Sequence, residues 1–130
     1  MRTPIGLGWL RASHRKLDPQ KSLPYRPLHT HDEVQPLTPG VPVDLDVEIW
    51  PTSIVVPAGY RVGLSLRGCD YQNPGEPLVI PGLKYSTTGV GPFVHVHPNN
   101  RPPEVFHNRH TIHFESGHEP YVLLPLIPVK

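Results

Sequence analysis

Residues 41–50 read VPVDLDVEIW, and from residue 43 to residue 49 apolar and acidic side chains alternate. Successive side chains of a β-strand point to opposite faces, so this stretch predicts a strand with one apolar face and one acidic face. The apolar set is Val41, Val43, Leu45, Val47 and Ile49, and the acidic set is Asp44, Asp46 and Glu48. A row of carboxylates along one strand is typical of a solvated face rather than of a catalytic pair.

The neighbouring segments repeat this strand signal. Residues 60–68, YRVGLSLRG, place Val62, Leu64 and Leu66 on one face, and the preceding PAG at 57–59 supplies a turn. We therefore expect sequential antiparallel strands, with TSIVVP lying between them. Residues 121–129, YVLLPLIPV, form a continuous apolar run that predicts a buried final strand with its prolines at edge positions.

Proline and glycine exclude long helices and define the loops. The chain has 19 prolines and 11 glycines spread without a period, and a proline inside a helix costs about 3 kcal/mol. Residues 14–40 and 68–92 carry no sustained alternation, so we predict long ordered loops there. The predicted fold class is all-β.

Length and charge restrict the function class. A chain of 130 residues is expected to form one domain with one core. A formal charge of +1 provides no basic field for nucleic acid or an anionic membrane. Cys69 is the single cysteine, so no internal disulfide forms. The apolar stretch before Arg11 is too short for the core of a signal peptide or for a membrane-spanning helix. We therefore expect a soluble, cytoplasmic chain.

The histidines raise the question of a metal site. Six of the nine lie between residues 95 and 118: His95, His97, His107, His110, His113 and His118. Only His95 and His97, two apart, share one strand face, and with Gly89 they match the start of the cupin metal signature. Glu104 comes too late for the rest of that signature. We predict structural histidines, no bound metal and no cofactor, with a metal at His95 and His97 as the alternative.

Other candidate residues also favour structural roles. Ser65 lies in GLSLR, which lacks the last glycine of a nucleophile elbow and has no helix behind it. HTHDE at 29–33 is typical of a polar loop. Trp9, Trp50 and Tyr60 are predicted as core or rim residues rather than a sugar-stacking platform. We therefore predict no catalytic residue in this chain.

Several ordered blocks resemble one known family across nearly the whole chain. The similarity is to the C-terminal domain of X-Pro dipeptidyl-peptidase and cocaine-esterase-like acyl esterases, which are serine hydrolases. Its most specific parts are EIWPTSIVVPAGYR and LRASHRKLD. The blocks, in order, are GWLRASHRKLDP, PYRPLHTHDEVQPLTPG, VDLDVEIWPTSIVVPAGYRVGLSLRG, GPFVHVHPNNRPPEVFHNRHTIHF and YVLLPLIP.

The resemblance implies a fold and a role. The family domain is a jelly-roll β-sandwich, described as galactose-binding-like, that packs on an α/β-hydrolase domain carrying the catalytic triad. The similarity begins part-way into that domain, so we expect residues 1–130 to be one sandwich lacking its N-terminal strands. The chain alone is then inactive, and its partner is a hydrolase domain in cis or trans, or a second copy. The alternative is a stand-alone jelly-roll module that binds metal or carbohydrate.

Overall fold

The computed structural model describes residues 4–79, 81–82, 84, 86–90 and 94–128. Within them the chain forms a 3₁₀ turn at Ala12–His14, strand β1 at Leu78–Val79, strand β2 at Ser86–Thr87 and helix α1 at Pro103–Phe106. Little helix and a small antiparallel sheet fit a mostly-β domain, which confirms the coarse fold class. No helix among these residues is long and apolar enough to cross a membrane.

The chain forms two compact units. The first comprises Met1–Tyr60 with His113–Lys130, and the second comprises Arg61–Ile112. Residues 15–40 of the first unit contain only isolated bridges, at Leu17–His29 and Leu23–Arg26, which agrees with the predicted loop.

Strands β1 and β2 lie in the second unit, inside the segment that was predicted to be loop throughout. They pair antiparallel, with Leu78 opposite Thr87 and Val79 opposite Ser86. A further bridge joins Gln72 to Gly89. The prediction for 68–92 is therefore wrong over these residues, because backbone pairing between two short segments overrides the turn-rich composition around them.

Helix α1 is a single turn whose start is set by proline. It begins at Pro103, directly after Pro102 in an extended conformation, and ends after one turn at Phe106. Proline is tolerated at the first helical position, where its missing N–H has no helical partner. Asn108 then turns its side-chain amide back to donate to the carbonyl of Val105, 2.8 Å away.

The predicted turn at PAG is confirmed, but the two strands around it are not. The amide of Tyr60 donates to the carbonyl of Pro57 at 3.1 Å, and Gly59 has a φ of +86°. Glycine adopts this left-handed conformation without a steric penalty. Residues 41–50 and 61–67 carry no strand pairing, and their predicted apolar faces are exposed.

The expected core is also missing from the described residues, where no apolar side chain is buried. The final run is the clearest correction, since Leu126 is 86% exposed and Ile127 is 92% exposed. A strand covered on both sides needs a neighbouring strand and a second layer, and Pro125 and Pro128 lack the N–H that would join a neighbour. Val129 lies outside the described residues.

Candidate functional site

Two glycines let the N-terminal segment lie directly on the backbone at 48–50. The amide of Trp50 donates to the carbonyl of Leu7 at 2.9 Å. A Cβ on Gly8 would stand 2.1 Å from the carbonyl oxygen of Glu48, and one on Gly6 would stand 3.1 Å from Ile49. Only a residue without a side chain fits at position 8, so this contact depends on glycine.

This contact brings the only two tryptophans together. The rings of Trp9 and Trp50 have centroids 5.4 Å apart and planes inclined by 76°, an edge-to-face arrangement. They are 47% and 62% exposed, so of the two predicted positions, core or rim, they occupy the rim. They line a cavity of about 280 Å³, together with Leu10, Arg11, Pro27, Leu28, His29, His31 and Glu48.

Three histidines stack beside this cavity. The imidazole of His31 lies 5.5 Å from that of His14 and 6.0 Å from that of His29, between ring centroids. Nδ1 of His14 and Nε2 of His29 are buried and have no hydrogen-bond partner among the described residues. A buried nitrogen without a hydrogen-bond partner carries a desolvation penalty. Hydrogen bonds from these two nitrogens therefore do not stabilise the cluster.

Backbone and side-chain bonds hold the loop that carries these histidines. The amide of Asp18 donates to the carbonyl of Leu28 at 2.7 Å, and the guanidinium of Arg15 donates to the carbonyl of Gln35 at 2.6 Å. The ammonium of Lys16 lies 3.0 Å from a carboxylate oxygen of Asp32. These contacts close residues 15–35 into one loop.

Side-chain hydrogen bonds shift two pKa values in that loop. A hydrogen bond from Thr30, followed by one from Lys16, lowers the pKa of Asp32. Hydrogen bonds to Asp32 and then Glu33 raise the pKa of Lys16. HTHDE therefore forms a polar loop through Asp32 and Glu33, as the sequence indicated, while His29 and His31 line the cavity.

In the second unit, His95 pairs with a residue that the sequence did not single out. Its Nδ1 lies 2.9 Å from Oδ2 of Asp70, and its backbone amide donates to the same oxygen at 2.5 Å. Arg101 donates to the carbonyls of His95 and Gly68, joining the two segments. Two contacts of His95 therefore go to one carboxylate oxygen.

Nδ1 of His97 contacts the backbone instead of a carboxylate. The backbone amide of Asn99 donates to its Nδ1 at 3.3 Å, so the lone pair is on Nδ1 and Nε2 carries the proton. A shared ion would need lone pairs from both rings on one side. Within the described residues, no group of three or more histidine, cysteine, aspartate or glutamate side chains is placed to hold a metal ion.

The remaining candidates are not brought into a site. Ser65 is exposed in a segment without strand pairing. Ser116, a serine two residues before His118 that was not among those candidates, lies in the turn closed by the Glu115–His118 bridge, and Nδ1 of His118 is 3.6 Å from a carboxylate oxygen of Asp44. The sequence also did not single out Arg11 and Glu48 as neighbours of the tryptophans, because that proximity depends on the Gly8 contact between distant segments.

Comparison with known proteins gives the family. A model of the X-Pro dipeptidyl-peptidase C-terminal non-catalytic domain matches residues 2–123. The chain belongs to this family. This confirms the resemblance found in the sequence, and the family is described as a non-catalytic domain. Neither a search of curated proteins nor a search of solved structures gave a significant match.

Proposed function

We propose that this X-Pro dipeptidyl-peptidase C-terminal domain is the β-sandwich module of a serine hydrolase of the acyl esterase or dipeptidyl-peptidase type. It packs on the α/β-hydrolase domain as a galactose-binding-like jelly roll and forms one wall of the substrate cleft. The catalytic serine, histidine and acid belong to the hydrolase domain. The family match over residues 2–123 is the observation that carries this proposal.

The exposure of the predicted strand faces supports a packing role. Val43, Leu45 and Val47 are all exposed, although they alternate with acidic residues as a half-buried strand would. A strand that placed these three side chains on one face would present a contiguous apolar surface, and such surfaces mark interaction sites. Unpaired strand edges also mark interaction sites, because their backbone N–H and C=O groups lack hydrogen-bond partners.

Co-expression with the α/β-hydrolase domain of an X-Pro dipeptidyl-peptidase tests the proposal. We expect an equimolar complex by size-exclusion chromatography with light scattering. Leu45→Asp places a charge on the apolar face and should abolish the complex, because an unpaired buried charge is strongly unfavourable. Asp46→Asn, on the opposite face of the same segment, is the matched control and should leave the complex intact.

Two results would contradict the proposal. The first is a failure of the unsubstituted chain to associate with the hydrolase domain while it remains a monodisperse monomer by itself. The second is an equal effect of Leu45→Asp and Asp46→Asn on the complex. Either result would favour the stand-alone binding module.

A further inference from the structure

We infer that His14, His29 and His31, called here the histidine cluster, form a pH-sensitive switch that opens the loop at 15–35 in mild acid. The cluster lies where the two ends of this loop meet. His14 ends the 3₁₀ turn that precedes the loop, and the other two histidines lie in its second half. Histidine is the side chain whose charge changes between pH 5 and 8, so the cluster couples that charge to the closure of the loop.

The closed arrangement fits neutral imidazoles. Nδ1 of His14 and Nε2 of His29 are buried without a hydrogen-bond partner among the described residues. A neutral imidazole has one nitrogen with a lone pair and no proton, and this nitrogen can be buried for the loss of a single acceptor. A protonated imidazole carries an N–H on both nitrogens. Protonation of either ring would therefore bury a charged donor that has no acceptor, which is strongly unfavourable.

The spacing of the rings adds repulsion to this penalty. The ring centroid of His31 lies 5.5 Å from that of His14 and 6.0 Å from that of His29. Like charges at such distances disfavour one another. Because His31 is exposed, its ring can take up a proton from solvent, and the resulting charge then lies beside both of the other rings.

The charged groups of the loop do not offset a positive charge in the cluster. The ammonium of Lys16 lies 3.0 Å from a carboxylate oxygen of Asp32 and 3.3 Å from one of Glu33. Both carboxylates therefore already have a cationic partner. Arg15 follows His14 directly in the chain and adds a further positive charge on the same side.

The cavity beside the cluster contributes one group of each sign. Arg11 and Glu48 line it together with His29 and His31. Glu48 is the carboxylate of that lining, and neither of the two buried imidazole nitrogens hydrogen-bonds to it. The cavity therefore supplies no acceptor for a protonated ring in the closed arrangement.

Two backbone hydrogen bonds join the segments that carry the cluster. The amide of Thr30 donates to the carbonyl of Lys16 at 3.1 Å, and the amide of Gln35 donates to the carbonyl of Ser13 at 2.7 Å. Ser13 and Lys16 lie on either side of His14 in the chain, and Thr30 lies between the other two histidines. Separation of the charged rings therefore breaks these two hydrogen bonds, so the loop is closed at neutral pH and opens as the pH falls.

Hydrogen exchange at the amides of Thr30 and Gln35 tests the inference on the full chain alone. Exchange is measured from about pH 7.5 to about pH 5 and expressed as a protection factor, which removes the pH dependence of the exchange chemistry itself. Uptake of one proton on opening changes the opening equilibrium by up to about tenfold per pH unit, so protection of both amides should fall at least about tenfold over this range. The acid step of Asp32 lies below pH 3.8 and does not overlap with this one.

Leucine variants locate the effect. His14→Leu and His29→Leu remove the ring that takes up a proton and leave no polar atom unpaired, so at pH 7.5 each should protect Thr30 and Gln35 at least as well as the unsubstituted chain. The loss of protection in acid should be smaller in each variant and absent in the double variant. His110→Leu changes an exposed histidine of the second unit and is the control, which should keep the full acid response.

Three outcomes would overturn the inference. Unchanged protection between pH 7.5 and pH 5 would show that the closed loop accepts charged histidines. An equal acid response in the double variant would assign the opening to other groups. Loss of protection at pH 7.5 in both leucine variants would show that the rings hold the loop through contacts that do not depend on charge. The inference goes beyond the packing proposal and does not depend on it, because the switch is measured without a hydrolase domain.

Discussion

Gly8→Ala should separate the N-terminal segment from the backbone at 48–50. The new Cβ would stand 2.1 Å from the carbonyl oxygen of Glu48, whereas ordinary carbon-to-oxygen contacts are about 3.3–3.6 Å. The segment must then move by about 1.2–1.5 Å. This movement lengthens the hydrogen bond from the Trp50 amide to the Leu7 carbonyl. It also separates the indole of Trp9 from that of Trp50.

The magnitude follows from the two interactions that are lost. A hydrogen bond contributes about 0.5–1.5 kcal/mol and an aromatic pair a similar amount. A Gly-to-Ala change at a compatible position stabilises the folded state by about 0.4–1 kcal/mol, because it reduces the conformational entropy of the unfolded chain. We therefore expect Gly8→Ala to lower the free energy of unfolding of the first unit by about 1–2 kcal/mol.

The assay uses denaturant unfolding followed by tryptophan fluorescence, with circular dichroism to detect coupling between the two indoles. Gly63→Ala is the control, because nothing lies within 4 Å of a Cβ at that position and its φ is not positive. The indole coupling should disappear in Gly8→Ala and persist in Gly63→Ala. Equal behaviour of the two variants would refute the close contact at Gly8.

Three further predictions concern activity, metal and pH. The isolated chain should not hydrolyse Gly-Pro or Ala-Pro chromogenic amides above the buffer rate, and turnover lost on Ser116→Ala would contradict this. Elemental analysis should find no stoichiometric metal, and a chelator should leave Tm unchanged; one tightly held ion per chain would disprove it. The folded pKa of Asp32 lies below its ordinary value of 3.8, so its stabilising contribution is present above that value and is lost as the pH falls through the folded pKa. The titration of Asp32 is followed through the amide chemical shift of Thr30 as the pH is lowered, and Asp32→Asn should remove this acid-dependent step.

The sequence predicted local features well where they depend on neighbouring residues. The PAG turn requires only a proline followed by a glycine with positive φ, and residues 57–60 form it. The spread of prolines predicted no long helix, and the helix that the described residues form, α1, is one turn long. The polar loop at 29–33 was predicted with side chains bonding its own backbone, and in the structure side-chain contacts from Thr30 and Lys16 to Asp32 hold it.

Features that depend on distant partners were not predictable. Alternation at 41–50 identifies the face that a strand would bury, but not the strand or domain that covers it. The pairing of β1 with β2 was missed because each strand is only two residues long. The cavity at Trp9 and the Asp70–His95 pair both join segments that are far apart in sequence, and the sequence contains no local signal for either.

Hydrogen exchange at the backbone amides of residues 43–49 tests the central claim most directly. The chain is measured alone and in complex with the α/β-hydrolase domain. If the module packs on that domain as a β-sandwich, these amides should exchange rapidly in the isolated chain, where they carry no strand pairing, and become strongly protected in the complex. Unchanged exchange in a demonstrated complex, or full protection in an isolated monomer, would contradict the account.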